Sequence, residues 1–182
     1  YTGPSRVYQE GDQNPATGKV GVLASLSGNG EEYGQAMKKG ADMAAREINA
    51  NGGLLGKPLE LVYRDDKNDM GENGHQTVKL LFEDQVWAII GSVHSGCTHV
   101  AARITLKAET PQLTTVSTDP TVQMIGSPWM FRCLPDDRAQ ADSLNAQAAL
   151  HRTFAVLAYG DTVWVGTSSG IARSFDHGQT WA

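Results

Sequence analysis

The chain has 182 residues, 40% of them hydrophobic and 19% charged, with a formal net charge of −5. That length holds one domain, or one and part of a second, and buries a core that needs no disulfide staples. The modest charge excludes a disordered chain, the mild acidity offers no basic footprint for nucleic acid or an anionic membrane, and no apolar run approaches the ~20 residues of a membrane span.

Residues 1–18 (YTGPSRVYQEGDQNPATG) carry glycine and proline without an apolar period and read as a polar surface leader. The chain starts at Tyr1 with no charged-then-apolar segment. It therefore reads as a processed or excised piece whose export signal, if it had one, is gone. Residues 20–24 (VGVLA) form a short apolar run of the kind buried on both faces of a parallel sheet. A helix is predicted over 33–49. Met37, Ala41, Ala44, Ala45 and Ile48 recur on one face, Lys38, Lys39, Asp42, Arg46 and Glu47 take the other, and the glycines at 52–53 end it. A second strand is expected at 59–63, a second helix at 74–84 and a third strand at 86–90. A third helix is expected from 97 to 109, stopping before Pro111, and a fourth strand at 112–116. Asp119 and Pro120 suit the cap and first position of a short helix. A fifth strand at 129–133 precedes a fourth helix, capped by residues 135–137 and running to about 150.

This alternation of strand and helix predicts an α/β fold: an open, mostly parallel sheet with helices on both faces. Beyond residue 150 the pattern changes to short strands at 154–158, 162–167 and 171–174, a β-meander. The expected organisation is a leader (1–18), an α/β lobe (19–150) and a β-hairpin segment (151–182). Ligands of open parallel sheets sit off the carboxyl ends of the strands, which directs attention to loops 25–33, 91–97 and 116–120.

Several segments carry a resemblance. KVGVLASLSG (19–28), ADMAAREINANGGLLG (41–56), VYRDD (62–66), IIGSVHS (89–95), TTVSTDP (114–120) and Phe131-Arg132 occur in order and at natural spacing. Residues 19–150 resemble lobe 1 of type I periplasmic solute-binding proteins, the leucine/isoleucine/valine-binding group that feeds ABC transporters. The resemblance implies a small amino-acid-like solute, a periplasmic or extracellular location, ABC transporter membrane subunits as partners, and no catalysis. It places Ser95 at the carboxylate-binding serine, Val116 (through its carbonyl) and Thr118 at the ammonium site, and Tyr33 at the tyrosine walling the solute's side chain. The third helix's start would add free N–H groups and a positive dipole end. Read without the resemblance, Ser95 and Thr118 are equally plain helix caps and Tyr33 a packing residue. Gly96 and Cys97 replace residues that usually bear hydroxyls. Asn68 and His94 stand where the family often has a disulfide, so Cys97 and Cys133 are expected to be free thiols.

The last residues bring a second resemblance. SFDHGQTW (174–181) fits Ser-x-Asp-x-Gly-x-Thr-Trp, the Asp-box of the BNR repeats in sialidase-like β-propellers. There the Asp ties a turn through backbone N–H groups and the motif is structural. One blade cannot close a propeller.

Other constellations read blandly. His94, Cys97 and His99 match no standard zinc spacing, and residues 65–69 (DDKND) fail the calcium-loop pattern and read as a solvated loop. No nucleophile elbow and no G-x-G-x-x-G follows a strand. The expectation is a solute-binding protein fragment with no metal, no cofactor and no enzymatic activity. The alternative is a non-transport structural or interaction module that uses lobe and Asp-box segment as a scaffold.

Overall fold

A computed structural model describes residues 17–147, 153–159, 162–167, 170–176 and 179–180. Residues 1–16 of the leader, the Gly and Trp of the Asp-box pattern (Gly178, Trp181) and the end of the last helix lie outside them, whereas Gly18, expected in the leader, opens the first strand. Within them run β1 (Gly18–Ala24), α1 (Glu31–Ala50), β2 (Leu59–Asp65), α2 (Met70–Phe82), β3 (Ala88–Gly91) and α3 (Ser95–Lys107). Then come β4 (Gln112–Thr114), a 3-10 helix (Pro120–Ile125), β5 (Met130–Arg132), α4 (Asp137–Gln147), β6 (Thr153–Tyr159), β7 (Thr162–Thr167) and β8 (Gly170–Ser174).

The first five strands make one parallel sheet in the order β2-β1-β3-β4-β5. This is the expected α/β fold. The inner strands β1 and β3 are short, apolar and largely covered, as parallel crossovers require, while the edge strands β2 and β5 are more polar or more exposed. Leu23 of β1 and Ile89 of β3 pack with Leu80 and Leu81 of α2 and Ala101 of α3 into the main core, where Val62 joins them. Tyr63, the next residue along β2, instead meets α1, as the alternation of a strand demands. A smaller cluster of Ala102, Val122 and Met130 closes the β4–β5 end.

Two glycines let backbones meet. A Cβ at Gly34 would lie 2.0 Å from the Ser25 carbonyl, so α1 seats directly on the loop after β1. Gly91 combines φ +134° with a Cβ position 2.0 Å from the Leu23 carbonyl, joining β3 to β1 at their ends.

Several local expectations need correcting. Helix α2 starts at Met70, not 74, because Asp69 caps it by accepting from the Glu72 N–H at 2.7 Å. On α1 the polar face is not wholly solvent: Asp42 accepts from the Tyr63 hydroxyl at 2.5 Å, and Lys38 lies over the Tyr63 ring at 4.3 Å. Ala44 and Ile48, expected inward, are exposed, while Ala45 is buried. The Asp42 carboxyl is held below its usual range, by the Tyr63 hydroxyl first and Lys38 second.

The chain divides into two compact units, Tyr1–Leu134 and Pro135–Ala182. Helix α4 thus groups with the antiparallel sheet β6-β7-β8, and the division falls earlier than the change in composition near 150. Asp136 begins α4 by accepting from the Ala139 N–H at 2.8 Å.

Both cysteines are free. Cys133 is exposed, whereas Cys97 is fully buried. Burial pushes the Cys97 thiol up to about 12, and the negative charges of Asp66 and Asp69 add to the effect. Native protein mixed with a chromogenic disulfide at pH 8 is expected to release one equivalent of thiol rapidly and the second only in denaturant. Two rapid equivalents from native protein would show that Cys97 is accessible.

Candidate functional site

The carboxyl ends of the parallel strands are laced together by polar side chains, and the lacing starts at Asp66. This carboxylate, just after β2, is fully buried. Its Oδ1 accepts from the Ser25 hydroxyl at 2.8 Å and the Asn68 N–H at 3.0 Å. Its Oδ2 accepts from Asn73 Nδ2 at 3.0 Å and from the Ser92 hydroxyl. The loops after β1, β2 and β3 and the start of α2 therefore share one acceptor. From Ser92 the network continues: its carbonyl accepts from the hydroxyls of Ser117 (3.1 Å) and Thr98 (3.3 Å), which lie 2.5 Å apart. Ser117 N–H donates to Thr114 Oγ1 at 3.1 Å, bringing in the loop after β4. Sequence reasoning missed this knot. It read residues 65–69 as a solvated loop, yet Asp66 is buried and Asp65 is half-buried. Asp65 accepts from the Leu26 N–H (2.9 Å), the Lys67 N–H (2.9 Å) and the Ser27 hydroxyl (2.6 Å). Burial alone would raise its carboxyl. The Ser27 hydroxyl and the N–H groups of Lys67, Leu26 and Ser27 outweigh that and leave it below the usual range.

In front of the knot opens a cleft of about 300 Å³. All four residues singled out in the sequence, Tyr33, Ser95, Val116 and Thr118, line it. Asn29, Gly30 and Glu32 from the start of α1, Asn68 from the loop after β2, and Val93 and His94 from the loop after β3 complete the lining. The sequence marks Asn68 and His94 as the places of a missing disulfide and in metal patterns that fail, not as cleft residues. Asn29 and Glu32 lay inside a loop already under attention but gave no chemical signal of their own.

The cap question resolves locally. Residue 94, not 95, caps α3: His94 Nδ1 accepts from the Gly96 N–H at 3.2 Å. One of the free N–H groups expected at that helix start is thereby engaged. Those of Ser95 and Cys97 meet no acceptor among the described residues. Asp119, not Thr118, caps the 3-10 helix, accepting from the Thr121 N–H at 2.8 Å. Among the described residues nothing in the protein bonds the Ser95 or Thr118 hydroxyl or the Val116 carbonyl. The cleft thus presents donors at one helix start, an acceptor carbonyl and two uncommitted hydroxyls, with no lysine or arginine among its lining residues. That set can hold a carboxylate and an ammonium side by side. Among the described residues no three acidic, histidine or cysteine groups gather as metal ligands; His99 faces Thr121 at 3.0 Å instead.

Because Asp66 satisfies four donors at once, three of them buried, its replacement by Ala should cost about 3 kcal/mol or more. Chemical denaturation followed by circular dichroism measures this; a loss below about 1 kcal/mol would deny Asp66 its place at the centre of the knot.

Comparison with known proteins bears on the fold and the family. A family profile described as periplasmic binding protein matches residues 17–175. An amino acid binding protein of Pseudomonas aeruginosa is 32% identical over 120 residues, 65% of this chain and 32% of that protein. The branched-chain amino acid transporter substrate binding protein LivJ of Streptococcus pneumoniae, solved in complex with isoleucine, superposes with a TM-score of 0.66 at 30% identity. That superposition covers 73% of this chain and 39% of LivJ. An ABC transporter substrate-binding protein of Desulfitobacterium hafniense in complex with Leu gives 0.66 at 26% identity, over 71% of this chain and 38% of that one. The chain spans about a third of the length of the Pseudomonas relative, and these relatives are solute-binding proteins rather than enzymes. With the profile matching most of the chain and the sheet and cleft arranged as described, this chain belongs to the periplasmic binding protein family.

Proposed function

We propose that the chain is part of an extracytoplasmic solute-binding protein and that its cleft takes a small amino-acid-like solute for an ABC-type importer or a receptor of similar build. The observation that carries this is the meeting of Ser95, Val116, Thr118 and Tyr33 around one cleft, with their polar groups uncommitted among the described residues. The solute's carboxylate would sit at the α3 start, on the Ser95 hydroxyl and the Ser95 and Cys97 N–H groups, where the helix dipole favours negative charge. Its ammonium would donate to the Val116 carbonyl and the Thr118 hydroxyl. Tyr33, 56% exposed, would wall the side chain. The branched-chain and amino acid ligands of the relatives support the class of solute. Proteins of this type close about a hinge on the solute, and membrane subunits of a transporter would read that closure. No helix among the described residues is long and apolar enough to cross a membrane.

A cleft built from one sheet's loops leaves a bound solute half in water, so binding by this chain should be weak. Titration of the labelled chain with free amino acids is expected to shift the Ser95 and Thr118 amides with millimolar or weaker affinity, far from the tight end of the affinity scale. Ser95→Ala and Thr118→Ala should each weaken it about fivefold, the worth of one hydrogen bond. A sub-micromolar affinity would contradict the half-open site, and no response at either amide would remove the reading.

One observation favours a structural part for residues 174–181, the Asp-box reading. Asp176 accepts from the Ser174 hydroxyl at 2.7 Å, the Thr180 N–H at 2.8 Å and the Thr180 hydroxyl at 2.6 Å, and its carbonyl accepts from the Gln179 N–H at 3.2 Å. The acid thus ties its own turn, as that motif requires, and a scaffold or interaction module remains the second reading. These bonds, Thr180's hydroxyl first, lower the Asp176 carboxyl to about 2 from 3.8. A carboxyl whose folded value lies below its unfolded one stabilises the fold above the unfolded value and ceases to as pH falls through the folded one. The turn should therefore hold at pH 4 and above and loosen toward pH 2. The Thr180 amide signal followed across that range checks this, and a turn that opens well above pH 4 would overturn the assignment.

A further inference from the structure

The two charged ends of the proposed solute meet different elements, the carboxylate the start of α3 and the ammonium the loop after β4. Whatever ties that loop to that helix sets the span between the two half-sites. Two neighbouring residues of α3 make the tie. Thr98 and His99 stand three and four positions after Ser95, about one helical turn, and they grip opposite flanks of Thr118. On one flank the Thr98 hydroxyl lies 2.5 Å from the Ser117 hydroxyl, and both side chains are buried. On the other flank the half-buried His99 ring brings its Nε2 to 3.0 Å from Thr121 Oγ1 and 3.7 Å from Asp119 Oδ2. The Thr121 hydroxyl donates to Asp119 Oδ1 at 2.7 Å, which leaves its oxygen to accept from a His99 Nε2–H. Arg132 of β5 holds the same turn by donating to the Asp119 carbonyl at 2.9 Å. Neither Thr98 nor His99 lines the cleft, so each acts on a bound solute only through Ser95 and Thr118.

We propose that Thr98 and His99 are positioning residues that fix the span between Ser95 and Thr118, so that the cleft discriminates solutes by the separation of their ammonium and carboxylate. The inference rests on the zwitterion orientation proposed above and adds what holds its two half-sites in place. A helix is stiff over one turn, and a loop pinned on both sides of Thr118 cannot widen to follow a longer solute. L-alanine and β-alanine are isomers of equal charge whose charged ends differ in separation by one carbon, which makes them the probe.

The test titrates the isotope-labelled chain with each isomer and reads the Ser95 and Thr118 amides. L-alanine is expected to bind about fivefold more tightly than β-alanine, the worth of one misplaced hydrogen bond. His99→Ala and Thr98→Val should each weaken L-alanine about two- to fivefold and β-alanine less, so that the preference narrows. His99→Gln, which keeps a donor, and Thr98→Ser, which keeps the hydroxyl, should restore it. Unchanged dispersion of the amide spectrum shows that each variant is folded; should Thr98→Val lose it, the half-buried His99→Ala decides. Equal weakening of both isomers by the variants would reveal a general loosening and overturn the span assignment, as would an unaltered chain that binds the two alike. Either result leaves the zwitterion site standing. A variant that changes neither affinity nor preference removes its residue from the assignment. Silence at Ser95 and Thr118 with both isomers overturns the zwitterion site and the span together.

Discussion

The buried carboxylate of Asp66 is the constraint from which the rest of the strand-end architecture follows. A charge removed from water is tolerated only when its lone pairs are filled, and four donors from four stretches of chain fill these: Ser25, Asn68, Asn73 and Ser92. Each donor fixes a loop. Ser25 sets the exit of β1, on which Gly34 and hence Tyr33 are seated. Ser92 sets the exit of β3, one residue before the turn that starts α3. Asn73 anchors α2. An apolar core of the same volume would pack the sheet without specifying where the loop backbones go. Hydrogen bonds are directional, so the acid positions the loops as well as covering the core.

The candidate cleft is made from what this knot leaves unused. Along residues 114–118 the side chains of Thr114 and Ser117 turn into the network, while Val116 and Thr118 line the cleft. Along 92–95, Ser92 is buried in the network and Ser95 is not. Similar hydroxyls a few residues apart thus divide into those that hold the loops and those that stay available. The sheet order 2-1-3-4-5 makes this geometrically possible. Between β1 and β3 the chain departs to helices on opposite faces, which leaves a crevice at the strand ends.

The sheet and the order of its elements were legible because short apolar runs alternate with amphipathic stretches, a pattern set by burial alone. The four cleft residues were legible because they sit on strand-end loops and within segments of recognisable spacing. What was not legible has a common physical cause. Asp66, Asn73 and Ser92 are polar letters in polar loops, and nothing local separates a carboxylate facing water from one enclosed by partners 7, 26 and 41 residues away. The start of helix α2 is not legible because Gly71 and Gly74 weaken the helical signal, whereas the Asp69 cap outweighs them. Asp42 reads simply as part of the polar face of α1 because its partner, Tyr63, lies on another element.

Asn68 and His94 connect the knot to the cleft. The resemblance places a disulfide at these two positions, which would bind the loop after β2 to the loop after β3 covalently. Here the same loops are bound through Asp66 and Ser92, a tie that does not depend on redox conditions. With the covalent requirement absent, His94 caps α3 and borders the cleft, while Asn68 keeps its backbone N–H on Asp66 and joins the cleft lining. A disulfide would present sulfur to a bound solute, apolar and nearly indifferent to charge. An amide and an imidazole place directional polar groups along the cleft instead, so the way two loops are held also sets the chemistry of its lining.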